Sequence, residues 1–325
     1  MGSKVIYWGS ASDPRTLRAR EMAPPDLDIS FVDPDSDADL ARELADCEFI
    51  IGGVGGASDE ALRLMPRLKA LQILSAGFDT IDVIGLRERG VEVCNNSAAI
   101  ANSVAEHAIM LMLAVYKRVS KSIDGARGGG WQAPAKSGPF GQLYELTHKT
   151  VGIVGTGHIG SYVARRLRGF ETTTLYYDVR GLPPETEREL EITRVSFDEL
   201  LERSDIVTVH TPLNSATRGL FSTREFRLMQ PHAVFINTCR GPVHDEDALI
   251  AALNDGEIRA AGLDVTEVEP TPADSPLLEM ENVVVTPHIA GSTQERVDRA
   301  LEFSYVNARR VLNGDRPLSA VVIQD

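Results

Sequence analysis

Residues Gly155-Thr156-Gly157-His158-Ile159-Gly160 constrain the fold of this chain more than any other stretch, because of what flanks them. They follow the apolar run Val151-Gly152-Ile153-Val154, and Ile159, Val163, Leu167 and Phe170 then recur at helical spacing, as the buried stripe of a helix packed on a sheet does. A strand, a glycine turn and a helix N-terminus together make an anion site. Gly155 permits the tight turn, Gly157 lets backbone approach a pyrophosphate, and Gly160 lets helix approach strand, while His158 and Ile159 offer backbone N–H groups. The next strand, Leu175-Tyr176-Tyr177, runs into Asp178, where a dinucleotide-binding unit places the carboxylate that accepts from a ribose 2′-hydroxyl. A carboxylate there repels a 2′-phosphate, so the expected cofactor is NAD, with NADH preferred over NADPH. Arg180 nearby reads as a solvated loop arginine.

With 325 residues the chain has room for two domains with cores of their own, and 43% hydrophobic with 25% charged residues is ordinary for a globular protein. Lys and Arg total 33 against 47 Asp and Glu, a formal charge of −14, which disfavours nucleic acid and anionic membranes as partners. A small anionic substrate then needs a local cationic pocket. Cys47, Cys94 and Cys239 are widely spaced and odd in number, and no two histidines stand at ligand spacing, so neither a disulfide framework nor a metal is expected. Those thiols suit a reducing cytoplasm. No apolar run reaches the about 18 residues that span a bilayer, and no signal peptide or anchor is expected.

Short strand-like runs (Val5 to Trp8, Phe49 to Ile51, Leu71 to Leu74, Val91 to Val93) alternate with helical segments such as Ala38 to Ala45 and Asp59 to Met65. Asn102 to Arg118 then reads as one long helix capped by Asn102 or Ser103, apolar on nearly all sides and therefore buried. A second alternating unit starts at Thr150, with strands near Ile206 to His210, Ala233 to Thr238, Ala260 to Val265 and Val283 to Thr286. Such alternation predicts parallel sheets covered on both faces. The last helix, about Thr293 to Leu312, is too small to stand alone, and packing back on the first unit makes that domain discontinuous. The expected fold is α/β: two Rossmann-like, doubly wound parallel-sheet domains with the active site in the cleft between them. Residues 1–100 with 291–325 form a flavodoxin-like substrate-binding domain, and 101–290 form the NAD-binding domain.

By this point several motifs stand in one order: Ser103-Val104-Ala105-Glu106-His107, the glycine turn, Val209-His210-Thr211-Pro212-Leu213, Asn237-Thr238-Cys239-Arg240-Gly241, Gly262-Leu263-Asp264-Val265 followed by Glu269-Pro270, and Thr286-Pro287-His288-Ile289-Ala290-Gly291. Over essentially its whole length the chain resembles the D-isomer-specific 2-hydroxyacid dehydrogenases, whose members include phosphoglycerate, glyoxylate/hydroxypyruvate and D-lactate enzymes. The resemblance places the family's catalytic arginine on Arg240, its glutamate on Glu269 and its histidine on His288. It puts cofactor contacts at Gly155, Gly157, His158, Ile159, Gly160, Asp178, His210, Thr211, Pro212, Thr217, Thr238, Cys239, Arg240, Asp264, His288 and Gly291. Substrate contacts fall on Gly53, Val54, Gly55, Ala76, Gly77, Arg240 and His288. A homodimer is implied, with Trp131 either reaching the partner's site or buried in the dimer contact.

The chemistry asks for these residue types independently. Reducing a 2-oxo acid to a D-2-hydroxy acid needs a hydride, a proton for the new hydroxyl and a partner for the carboxylate. A histidine titrates near neutrality and can give or take the proton, a glutamate beside it can hold the ring and favour imidazolium, and an arginine grips a carboxylate with a planar fork. His210 is expected to serve through its backbone, His107 as a core or cap residue, and His244 departs from the family pattern, as do Pro242 and Cys239. Absence of lysine at 76 argues against phosphite as substrate, and Glu269 against formate. The alternative class is an NADH-responsive binding protein, resembling corepressors on the same fold; such proteins carry long tails, whereas this chain ends at Asp325 just after Val321-Val322-Ile323.

Overall fold

The computed structural model describes residues 4–33, 40–52, 62–129 and 143–321; Gly53, Val54, Gly55 and Trp131 lie outside the described residues. The chain divides into two compact units, Met1–Ile100 with Thr293–Asp325, and Ala101–Ser292.

In the first unit, β1 (Val5–Trp8), β2 (Ile29–Val32), β3 (Phe49–Gly52), β4 (Ala70–Gln72) and β5 (Glu92–Cys94) form a sheet in the order β2-β1-β3-β4-β5, each neighbouring pair parallel. Successive side chains alternate between its faces. Val5, Tyr7, Phe49 and Ile51 pack on Leu301, Tyr305, Ala308 and Val311 of the helix Gln294–Leu312, and the Tyr305 hydroxyl donates to the Ala19 carbonyl at 2.7 Å. Ile6, Ile50 and Leu71 face the other way, onto Leu44, Val83 and Leu86. The closing helix, together with Ala19 of the helix Pro14–Met22, thus covers this side of the unit's core, and the Arg18–Asp298 ion pair ties the two helices across most of the chain's length.

In the second unit β6 (Thr150–Val154), β7 (Thr173–Tyr177), β8 (Ile192–Arg194), β9 (Ile206–Val209), β10 (Val234–Asn237), β11 (Ala260–Leu263) and β12 (Val283–Val285) form an all-parallel sheet in the order β12-β11-β10-β9-β6-β7-β8. The strand order reverses beside β6. One face packs on the helices Ser97–Tyr116 and His158–Leu167, the other on Leu200, Leu201, Phe226, Leu249 and Leu253. Because every strand runs the same way, all carboxyl ends lie along one edge, where open α/β sheets receive ligands.

Several expected boundaries shift. The long helix begins at Ser97, not Asn102, since Ala99-Ile100-Ala101 continue its buried surface; the Asn95 carboxamide oxygen accepts from the Ser97 hydroxyl at 3.1 Å at its start. Asn102 and Ser103 are interior, and Asn102 accepts from Arg166 at 2.9 Å. The helix stops at Tyr116 because Arg118 takes the left-handed conformation, φ 47°, and leads the helix Val119–Arg127. Ser97–Tyr116 is long and apolar enough to cross a bilayer, yet it is mostly buried in the fold, with Ala105, Ala108, Leu111 and Met112 enclosed, and it is a core helix. Edge strands β2 and β8 are absent from the expected strands, although β2 alternates as Leu27-Asp28-Ile29-Ser30-Phe31-Val32; β8, Ile192-Thr193-Arg194, has a single apolar residue.

Candidate active site

The glycine turn is built as its sequence implies. Gly155 has φ 91°, and a Cβ there would meet the His210 carbonyl at 2.8 Å; a Cβ on Gly160 would lie 2.0 Å from the Gly155 oxygen. Gly157 differs, since a Cβ would meet nothing within 4 Å. Nothing in the chain's own packing requires glycine there. Gly157 also leads the helix His158–Leu167 without a side-chain cap, so that N-terminal amides face open ground, and these features fit a pyrophosphate. Asp178, at the end of β7, has Oδ2 accepting from the Thr156 amide at 2.7 Å and hydroxyl at 3.2 Å, and Oδ1 from the Arg180 amide at 3.0 Å. These bonds tie its carboxylate to the mouth of the turn.

Arg240 follows β10. Asn237, fully buried at the strand's end, donates to the Arg240 carbonyl at 2.9 Å and to His244 Nδ1 at 3.0 Å, while its oxygen accepts from the Cys239 amide at 2.9 Å and thiol at 3.0 Å. The Arg240 guanidinium donates to the Cys239 carbonyl at 2.8 Å. Gly241 lies so close to the Thr266 carbonyl that a Cβ would sit 1.8 Å from it, which sets the arginine's turn against the loop carrying Glu269. Burial pushes the Cys239 thiol up to about 11.

His288 and Glu269 meet. Nδ1 lies 2.7 Å from Glu269 Oε2, and because a carboxylate only accepts, Nδ1 carries hydrogen and Nε2 is left to face a reactant. Both side chains are partly exposed, at 45% and 36%. His288 adopts φ 51°, unusual for a residue with a side chain, and Asp264 is what holds it there. The Asp264 carbonyl accepts from the His288 amide at 2.8 Å; its Oδ1 accepts from Ile289 at 2.9 Å and from the Thr286 hydroxyl at 2.6 Å, and Oδ2 from Ala290 at 2.8 Å. His107 adds Nε2 at 2.9 Å from the Thr286 hydroxyl and 3.3 Å from Asp264. Burial would raise this carboxyl, but the bonds from His107, Thr286 and the two amides outweigh it and hold it below its ordinary range. Gly291 follows directly.

Other expected contacts line the same edge. The His210 ring is buried, with Nε2 2.9 Å from the Thr208 hydroxyl, and burial pushes it down to about 3, so the ring is neutral and the backbone is what this residue presents. Thr217 donates to the Pro212 carbonyl at 2.6 Å and closes the loop after Thr211. Thr238 is buried beside His210. Ala76 and Gly77 belong to the first unit, where the Ala76 carbonyl accepts from Asn95 at 2.8 Å. Sequence reading missed Asn237, His107 and Thr286 as positioning residues; each sat inside a quoted motif, but only the folded chain gives them partners. Among the described residues no group of three metal-ligating side chains occurs.

A family model described as D-isomer specific 2-hydroxyacid dehydrogenase, NAD binding domain, matches residues 109–290. The chain is 38% identical over 267 residues to glyoxylate/hydroxypyruvate reductase B of Escherichia fergusonii, covering 82% of each protein. Among solved structures, a glyoxylate reductase from Paecilomyes thermophila superposes with a TM-score of 0.82 at 28% identity, covering 99% of both chains. D-lactate dehydrogenase from Aquifex aeolicus, complexed with NAD and lactic acid, gives 0.76 at 30% identity over 96% of both.

His244 yields a test. It is buried against Phe235, its Nε2 has no partner, and burial pushes it down to about 4 despite Asp245. An unfolded histidine titrates near about 6.5, so between those values the unfolded chain binds the extra proton: stability is full above about pH 6.5 and falls as pH drops toward 4. His210 acts in the same direction. In urea melts from pH 7 to 4.5, His244→Leu is expected to flatten the loss by up to about 1.4 kcal/mol per pH unit, one proton's worth. Parallel curves for variant and wild type would remove His244 from the acid response.

Proposed function

Because the chain belongs to the D-isomer specific 2-hydroxyacid dehydrogenase family, NAD-dependent enzymes that transfer a hydride between nicotinamide and small 2-hydroxy or 2-oxo acids, we propose that His288 and Glu269 are its acid/base pair and Arg240 its carboxylate anchor. The observation that carries this reading is the 2.7 Å contact of His288 Nδ1 with Glu269, which leaves Nε2 to act. In reduction, Nε2–H gives its proton to the carbonyl oxygen as the new hydroxyl forms, and Glu269 stabilises the ring's charge before that transfer. In oxidation the same nitrogen takes the hydroxyl proton. Bound NADH supplies the hydride that reaches the carbonyl carbon. Arg240, always charged, grips the carboxylate and draws electron density from the adjacent carbonyl. Unit Ala101–Ser292 is the NAD-binding part, through Gly155 to Gly160, Asp178 and the loops at His210 and Thr238. The other unit is the substrate-binding part, through Ala76 and Gly77.

Three further readings belong to this proposal. NADH is preferred over NADPH because the Asp178 carboxylate, fixed by Thr156, repels a 2′-phosphate. Three free thiols, two of them buried, suit a cytoplasmic enzyme. A homodimer is supported by Met110, Val119 and Ile123, large apolar residues left exposed on the helices Ser97–Tyr116 and Val119–Arg127.

Arg240→Lys is expected to keep NADH affinity, read by fluorescence titration, and to lose roughly a hundredfold or more in kcat/KM with glyoxylate, because a point charge cannot reproduce a bidentate grip. Unchanged kcat/KM would take Arg240 out of the site. Asp178→Ala should narrow the preference for NADH, which we expect to be about tenfold or more, chiefly by raising the KM for NADH; a wild-type preference for NADPH would refute the role given to this carboxylate. Light scattering is expected to return a dimer mass, and a monomer would count against the exposed helices as a contact.

A further inference from the structure

The buried carboxamide of Asn237 holds the turn that carries Arg240, and its partners admit one orientation. Its oxygen lies 2.9 Å from the Cys239 amide, which only donates, and 3.0 Å from the Cys239 thiol. Its nitrogen lies 2.9 Å from the Arg240 carbonyl, which only accepts. A flipped carboxamide would set donor against donor and acceptor against acceptor. The nitrogen therefore has one hydrogen left, and at 3.0 Å it meets His244 Nδ1. Nδ1 must accept, so in the neutral ring the hydrogen sits on Nε2.

That tautomer carries a cost that packing does not require. Residue 244 is 1% exposed, its ring lies edge-on to Phe235 with centroids 5.7 Å apart, and Nε2 is buried with no partner among the described residues. An apolar side chain would fill the same place without an orphaned donor. What histidine adds there is the lone pair on Nδ1. Burial outweighs Asp245 and keeps the ring neutral, so the lone pair is present at neutral pH. The backbone around it is fixed as well: the His244 amide donates to the Gly241 carbonyl at 3.0 Å, the Phe221 amide to the Val243 carbonyl at 3.1 Å, and the Asp245 amide to the Phe221 carbonyl at 2.8 Å. Without an acceptor at 244, one hydrogen of Asn237 is left buried and unpaired, and the carboxamide loses a contact that stops it rotating away from the Arg240 carbonyl.

We propose that His244 is a positioning residue for recognition of the substrate's carboxylate: its Nδ1 fixes the Asn237 carboxamide, and Asn237 fixes the turn from which the Arg240 guanidinium extends. The role of His244 rests on the carboxylate grip given to Arg240 above.

The test uses the full chain at neutral pH with NADH and glyoxylate. His244→Leu removes the lone pair and stays apolar, whereas His244→Asn returns an acceptor on the same Cγ. In His244→Leu the KM for glyoxylate is expected to rise about fivefold or more while NADH affinity, read by fluorescence titration, stays within about twofold, and His244→Asn should recover most of the loss. Asn237→Ala should cost at least as much, and adding His244→Leu to it should change kcat/KM by less than about twofold, because a residue that acts through Asn237 then has nothing to act on. Arg240→Lys is assayed beside them. If it loses activity, an unchanged glyoxylate KM in His244→Leu, equal losses in the two single His244 variants, or losses that multiply in the double variant would overturn the proposal and leave the catalytic reading intact. If Arg240→Lys loses nothing, the grip of Arg240 falls and the role of His244 falls with it.

Discussion

A single buried carboxylate, Asp264, organises the catalytic edge of this protein. It accepts from the Thr286 hydroxyl and from the amides of Ile289 and Ala290, while its backbone carbonyl takes the His288 amide. A carboxylate out of water is costly unless hydrogen-bonded, and the same bonds that meet this cost define the path of the chain through residues 286–290. His288 is held in a left-handed conformation as a result, and its ring meets Glu269. The geometry of the His288–Glu269 pair is therefore set by a residue that touches neither the imidazole nor the Glu269 carboxylate.

Arg240 depends on a similar arrangement one strand away. Asn237 gives its oxygen to Cys239 and its amide hydrogens to Arg240 and His244, so one buried side chain ties down the turn after β10. Gly241 then lets that turn press on Thr266, in the loop that ends at Glu269. Arg240, Glu269 and His288 follow β10, β11 and β12, neighbours in the sheet, and parallel pairing brings their loops out along the same edge. Alignment of strands does most of the positioning, and buried polar side chains do the rest.

Net charge runs against the substrate's. A chain of formal charge −14 repels small acids at long range, so the grip on carboxylate proposed for Arg240 is a local one. Screening over about 8 Å at physiological salt keeps the distant acidic surface from cancelling it.

The glycine turn and Asp178 were legible in sequence because each answers a local demand: Gly155 needs a positive φ, Gly160 a close approach, and an acid at a strand's end needs only its place in the run. The parallel sheets followed from alternating periodicity, which is also local. Strand β8 was not legible, since Ile192-Thr193-Arg194 buries one side chain and leaves a weak pattern, whereas β2 did carry an alternation that the reading passed over. Nor was the start of the long helix, because Ala98, Ala99 and Ala101 are small enough to suit a loop or a helix and only the burial of residues 99–101 decides between them. The amino-acid sequence by itself thus determined the fold class and the nucleotide turn, and it singled out Arg240, Glu269 and His288 as candidates. Tertiary structure alone decided what joins them: the ring nitrogen that faces Glu269 and the hydrogen bonds of Asp264 and Asn237, which arise from folded contacts that no local pattern encodes.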